Sequence, residues 1–165
     1  MKITKKEENK YEFFLPKETL GKINFDNKST LENYFQDFFL NLKDNYNFDV
    51  CGFYEIDIYI DNLYGAVISM KKEDIDYFDY FSTNIDMKIS KPQKTEFLYK
   101  VKDIFFIDKK ILKNTIMYYY KENYYLNLSK LTNKELVKLL EFSEIIYDET
   151  KEKIIKNGKM LKMEV

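Results

Sequence analysis

Glu55, Asp57 and Asp61 fall on one side of the alternation in FYEIDIYID, residues 53–61, and come nearest to a metal-binding set. Side chains two apart on a strand share a face, so these carboxylates would offer hard oxygen ligands to Mg²⁺ or Ca²⁺. A solvated sheet face is the favoured reading, because no glycine-rich loop or further carboxylate is tied to them. Asp86-Met87-Lys88 copies the Asp-x-Lys end of a metal-dependent nuclease motif, but so short a match without a partner segment is at chance level. Cys51 is the single cysteine, and the chain has no histidine to activate a thiol, so it reads as buried filler beside a strand. Tyr118, Tyr119, Tyr120, Tyr124 and Tyr125 make a tyrosine-rich run. Alternation sends about half of them inward, and the outward half fits a solvated face or a partner interface. With no histidine, phosphate loop, cysteine cluster or nucleophile elbow, the chain is expected to bind rather than catalyse, and to need no cofactor.

Those residues need a scaffold, and the composition can supply one. The 165 residues, 45% hydrophobic and 18% aromatic, suit one domain or two small ones with a real core. Charge is dense but balanced, 27 basic against 28 acidic residues, and every basic residue is lysine. Nucleic-acid readers rely on a net positive face and on bidentate arginine, so specific DNA or RNA binding is disfavoured. A lone cysteine excludes an internal disulfide and suits a reducing compartment. No apolar run approaches the roughly 20 residues of a membrane span, and MKITKKEENK lacks the apolar core of a signal peptide. A cytoplasmic protein is expected.

In the first part of the chain, Lys10 to Leu15 reads as a strand ending at Pro16, and Leu20 to Phe25 as a second. Ser29 and Glu32 then suggest a capping box opening a helix over residues 29–45. Leu31, Tyr34, Phe35, Phe38, Phe39 and Leu42 share one face of it. The strand of residues 53–61 places Tyr54, Ile56, Ile58 and Ile60 on the side that can cover this stripe. Asp61-Asn62-Leu63-Tyr64-Gly65 turns it into a returning strand, Ala66 to Met70.

In the second part, Glu96 to Lys102 reads as a strand, and two tyrosine-rich arms, 116–120 and 124–128, as a hairpin turning through Glu122-Asn123. Thr132 and Glu135 form a capping box, with Leu131 placed to staple onto Leu136, before a stripe of Leu136, Leu139, Leu140 and Ser143. Glu141-Phe142 closes that helix region, and Asn157-Gly158-Lys159 reads as a turn or helix end before a final strand. The expected fold is α+β, two small units that each pack an antiparallel sheet with one or two helices. Residues 1–75 form the first unit, 76–95 a connection too apolar to be a plain tether and so partly docked, and 96–165 the second.

The order YYYKENYYLNL, capped helix ending at LLEF, closing KNGKML resembles the C-terminal domain of the MecA family of adaptor proteins. The first unit resembles that family's N-terminal domain, in its Met-Lys-Ile start, aromatic helix, Phe48 and Gly52 leading into a strand, and hairpin return. The chain departs from the pattern in its short aromatic connection and in Asp103 to Leu112, which leaves little room for the helix the family carries before its tyrosine hairpin. The resemblance implies a non-enzymatic adaptor whose first unit recruits a protein substrate and whose second unit binds a ClpC-type AAA+ unfoldase for regulated proteolysis with ClpP. Glu141, Phe142, Gly158 and Lys159 match the family pattern and are the implied partner-binding residues, although Gly158 also suits backbone geometry and Phe142 a core. Two other readings stand beside it: a single-domain interaction or self-associating protein unrelated to proteolysis, and a metal-dependent nuclease or hydrolase built on the carboxylates.

Overall fold

The computed structural model describes residues 2–47, 50–73, 85–113 and 115–162. The chain divides into two compact units, Met1–Lys94 and Thr95–Val165, and each is an α+β unit around its own sheet.

The first unit runs β1 (Lys2–Glu7), β2 (Lys10–Pro16), α1 (Lys17–Leu20), α2 (Lys28–Tyr46), β3 (Gly52–Asp61), β4 (Gly65–Glu73), β5 (Ile85–Ile89) and β6 (Gln93–Lys94). Its sheet has the order β1-β2-β4-β3-β5, with β6 continuing along the same side of β3. β5 and β6 run parallel to β3, while the other pairs are antiparallel. The last part of the expected connection is therefore sheet: residues 85–89 and 93–94 are strands of the first unit. Residues 76–84 of that stretch lie outside the described residues.

Two local expectations are corrected, and one strand is added. Leu20 to Phe25 is not a strand, because Pro16, with φ −60, opens the short helix α1, and the chain turns after it at Gly21. β1 is a strand with only Ile3 as its apolar member, held by antiparallel pairing to β2 rather than by a hydrophobic pattern of its own. α2 is capped by Asn27, whose side chain accepts from the Thr30 amide at 3.1 Å, and not by Ser29.

The helix stripe meets the sheet as its spacing requires. Leu31, Phe35 and Phe39 are buried with Phe13, Tyr54, Ile56, Ile58, Ile68 and Met70, and Tyr34, Phe38 and Leu42 pack at the margin. Phe13 meets Phe38 edge-on at 4.8 Å, and Phe39 lies 4.3 Å from Tyr54. Burying a side chain such as Phe35 contributes about 2–3 kcal/mol. The β3–β4 turn is held by Asp61, whose carboxylate accepts from the Leu63 amide at 2.8 Å and whose carbonyl accepts from Tyr64 at 3.3 Å. It ends at Gly65, φ +141, where an added Cβ would lie 2.1 Å from the Leu15 carbonyl oxygen.

The second unit runs β7 (Leu98–Val101), a 3₁₀ turn (Ile104–Phe106), α3 (Lys109–Lys113), β8 (Ile116–Tyr120), β9 (Asn123–Asn127), α4 (Asn133–Phe142), β10 (Ser143–Ile146), α5 (Glu149–Asn157) and β11 (Lys159–Leu161). The sheet order is β10-β7-β9-β8-β11, antiparallel throughout. Its rows alternate as pleating demands: Leu98, Tyr125 and Ile154 form a core with Tyr118, Tyr120 and Ile146, so α5 covers that face. The hairpin turns one residue earlier than the expected Glu122-Asn123. Lys121 and Glu122 take positive φ, 45 and 64, and Asn123 already pairs with Tyr120. Two left-handed residues match the right-handed twist of the arms.

The capping box of α4 forms as its residues predict: the Thr132 hydroxyl accepts from the Glu135 amide at 3.3 Å, and the Glu135 carboxylate accepts from the Thr132 amide at 2.8 Å. β10 and α5 are additions to the expected order. α5 starts at Asp148, whose carboxylate accepts from the Thr150 amide at 3.0 Å, and it buries Ile154 completely. Asp103 to Leu112 does hold a short helix, α3, begun by Asp108 accepting from the Lys110 amide at 2.9 Å.

Candidate functional site

The carboxylates that opened the sequence reading are held apart. Glu55 and Asp61 are six residues apart on β3, about 20 Å at ~3.4 Å per residue. Calcium ligands must lie within about 2.6 Å of one ion, so Glu55 and Asp61 cannot share one. Glu55 sits in register between Lys71 on β4 and Lys88 on β5, and Asp57 faces Ser69. Asp61 is 4% exposed and serves the turn. Among the described residues, no three acidic, cysteine or histidine side chains are grouped to hold a metal. Asp86-Met87-Lys88 lies on β5 in pairing with β3, and Cys51, just before β3, is half-buried.

The implied partner-binding residues fall at two places in the second unit. Lys159 pairs with Tyr119, in the row that continues through Tyr124 and Val101 to Ser143, the residue after Phe142. Four strand steps of ~4.8 Å put Lys159 about 19 Å from Ser143 along that row. Glu141 and Phe142 are thus one place, and Gly158 and Lys159 another. Gly158 has a backbone reason to be glycine: its amide donates to the Ile154 carbonyl at 2.7 Å, and an added Cβ would lie 2.4 Å from that oxygen.

Phe142 is not a core residue. It is 55% exposed at the end of α4 and stacks on Phe106, with centroids 6.0 Å apart and planes inclined by 11°. Phe106 is itself 69% exposed and Phe105 91%. The turn carrying them is fixed locally, since the Asp103 carboxylate accepts from the Phe105 amide at 2.9 Å. Ile107, next in the chain, is buried and anchors it. On the α4 side the Ser143 hydroxyl donates to the Leu139 carbonyl at 2.7 Å. A groove of about 520 Å³ lies between these elements, with Phe105, Phe106, Ile107, Ile111, Leu139 and Phe142 as its apolar lining. Asp108, Glu135, Lys138 and Glu141 are its charged groups, three acids against one base. Hydrogen bonds from the Thr132 amide and hydroxyl hold the Glu135 carboxyl below its usual range, so this rim acid is ionised at neutral pH. On the other side of the stacked pair, a smaller groove is bounded by Lys100, Lys102, Asp103 and Glu144.

Large exposed apolar side chains are unremarkable singly, but three phenylalanines lining one groove make it the candidate contact surface. Phe105 and Phe106 were not among the sequence candidates. Their signal was the Phe-Phe pair two residues after Asp103, in a stretch too short for a regular element.

The tyrosine run divides by face. Tyr125 is buried, and its hydroxyl pKa is pushed up by burial first, then by Glu144 and Tyr120. Tyr119 and Tyr124 lie on the opposite face and contact each other at 5.1 Å.

No protein-family model matches the chain, and no curated protein or solved structure is similar to it. No described helix is long and apolar enough to cross a membrane.

Proposed function

We propose that this protein is a non-enzymatic, cytoplasmic adaptor of the MecA type, recruiting protein substrates to a ClpC-type AAA+ unfoldase for proteolysis by ClpP. The observation that carries the reading is Phe142, which projects into solvent and stacks on an exposed Phe106 where a core role was the alternative. Aromatic anchors with a charged rim are what a partner-binding site needs, because a few desolvated rings supply most of the affinity. In this reading the second unit, with Glu141 and Phe142 at its centre, contacts the unfoldase, and the first unit holds the substrate. Joining two binding modules raises the effective concentration of substrate at the unfoldase without any chemistry by the adaptor. Gly158 serves the backbone in this reading, and Lys159 is peripheral.

The experiment is ClpC ATPase activity and hexamer assembly with and without the protein, repeated with residues 95–165 and with Phe106→Ala and Phe142→Ala. Stimulation by the full chain and the fragment, lost in the folded variants, supports the adaptor. No binding and no stimulation by either would sink it.

A second reading, self-association, rests on the β11 edge, where Met160 and Ile116 are both exposed beside Tyr118. A dimer seen by light scattering and abolished by Met160→Lys would favour it.

A further inference from the structure

We propose that the first unit holds a binding site for a small aromatic monocarboxylate, independent of the phenylalanine groove and of the adaptor reading. Between α2 and the β1-β2-β4 side of the sheet is a cavity of about 190 Å³. It is lined by Tyr11, Phe13, Phe39, Tyr54, Met70 and Leu42, with Ile3, Asn9, Val50 and Lys72 completing the wall. A dry apolar cavity of about 150 Å³ takes a benzene-sized ligand, so this one has room for a ring and a short stem. Four aromatic side chains in the lining favour a ring as occupant, through edge-to-face and offset contacts.

The charge specifies the rest of the ligand. Among the described residues, Lys72 is the only charged one in the wall, and none of them brings a carboxylate to the cavity with it. Its stem lies over Gly52, where an added Cβ would be 2.8 Å from Lys72 Cε and 3.7 Å from Nζ. Gly52, at φ +144, thus leaves the space that the lysine stem occupies. The Tyr54 hydroxyl is already committed to the Val50 carbonyl at 2.9 Å, so Lys72 is the wall's cation for a carboxylate. Largely apolar walls with a small number of positioned polar groups fix both the class and the orientation of a ligand.

The test uses the full chain and 3-phenylpropionate as probe, followed by isothermal titration and by amide chemical shifts of Tyr11, Phe39 and Tyr54. Saturable binding is expected, with 3-phenylpropanamide about tenfold weaker because it lacks the charge. Lys72→Met should bring the acid down to the amide's affinity. Equal affinity of wild-type protein for acid and amide, or no saturable shifts at millimolar probe, would overturn the proposal. That comparison needs no variant to fold.

Discussion

Phe142 and Gly158 fit the same family pattern but act in different ways, and substitution separates them. Phe142→Ala removes an exposed ring and one stacking contact, so stability should change by less than about 1 kcal/mol, while under the proposed adaptor function unfoldase stimulation should be lost. Gly158→Ala places a Cβ against the Ile154 carbonyl and should destabilise by about 1–3 kcal/mol. Thermal unfolding of both variants beside the ATPase assay distinguishes them, and a Phe142→Ala protein that melts like Gly158→Ala would return Phe142 to the core. At this scale the sequence was legible where periodicity decides: Leu31, Phe35, Phe39, Tyr54, Ile56 and Ile58 are buried as their spacing indicates. It was not legible for Phe105 and Phe106. The Phe-Phe pair was a signal of position only: it does not tell an exposed phenylalanine from a buried one, and the 3₁₀ turn that carries both is too short to show a period.

Elements differ in how much of their stability is local. The type I′ hairpin turn places Lys121 and Glu122 in left-handed conformations that asparagine and glycine adopt more readily. Replacing the pair by Asn-Gly should therefore stabilise the second unit by about 1 kcal/mol, read from the urea midpoint at unchanged slope. The α4 capping box has a pH signature. Glu135 has its folded-state pKa lowered, first by the Thr132 amide and then by its hydroxyl. Its contribution is therefore present above the unfolded value of about 4.3 and is lost as pH falls through the lower folded value. Glu135→Leu should cost stability at pH 7 and much less at pH 3. An equal cost at both would mean that the carboxylate does not support the helix. This box was legible because both partners lie within one turn, whereas β1 was not, because Ile3 is its one apolar residue, and β10 was not, because its pairing partner β7 is distant in sequence. α5 was hidden by its charges: only Ile154 of ETKEKIIKN is buried, too few apolar positions to reveal a face.

For the whole molecule, the two-unit division has a direct test in where the chain can be cut. β5 belongs to the first sheet, and Ile85, Met87 and Ile89 pack on its core. A fragment of residues 1–94 should unfold cooperatively and be more stable than residues 1–75, and residues 95–165 should fold alone. Circular dichroism melts of the three fragments check this, and equal stability of 1–75 and 1–94 would contradict it. Fold class was legible in the alternation of the strands and the two capped helices. The end of the first unit was not, because a parallel partner arriving after a long excursion leaves no local mark.

That parallel pairing sets an order of events during synthesis. β3 is complete at Asp61, but the side that β5 and β6 occupy is filled only once Lys94 has been made. At ~5–20 residues per second, the emerging chain presents an unfilled strand edge for roughly 2–7 seconds. Such an edge is a template for pairing with a neighbouring chain. Translation pauses after residue 61 should therefore lengthen that exposure and lower the soluble yield, whereas pauses after residue 94 should not.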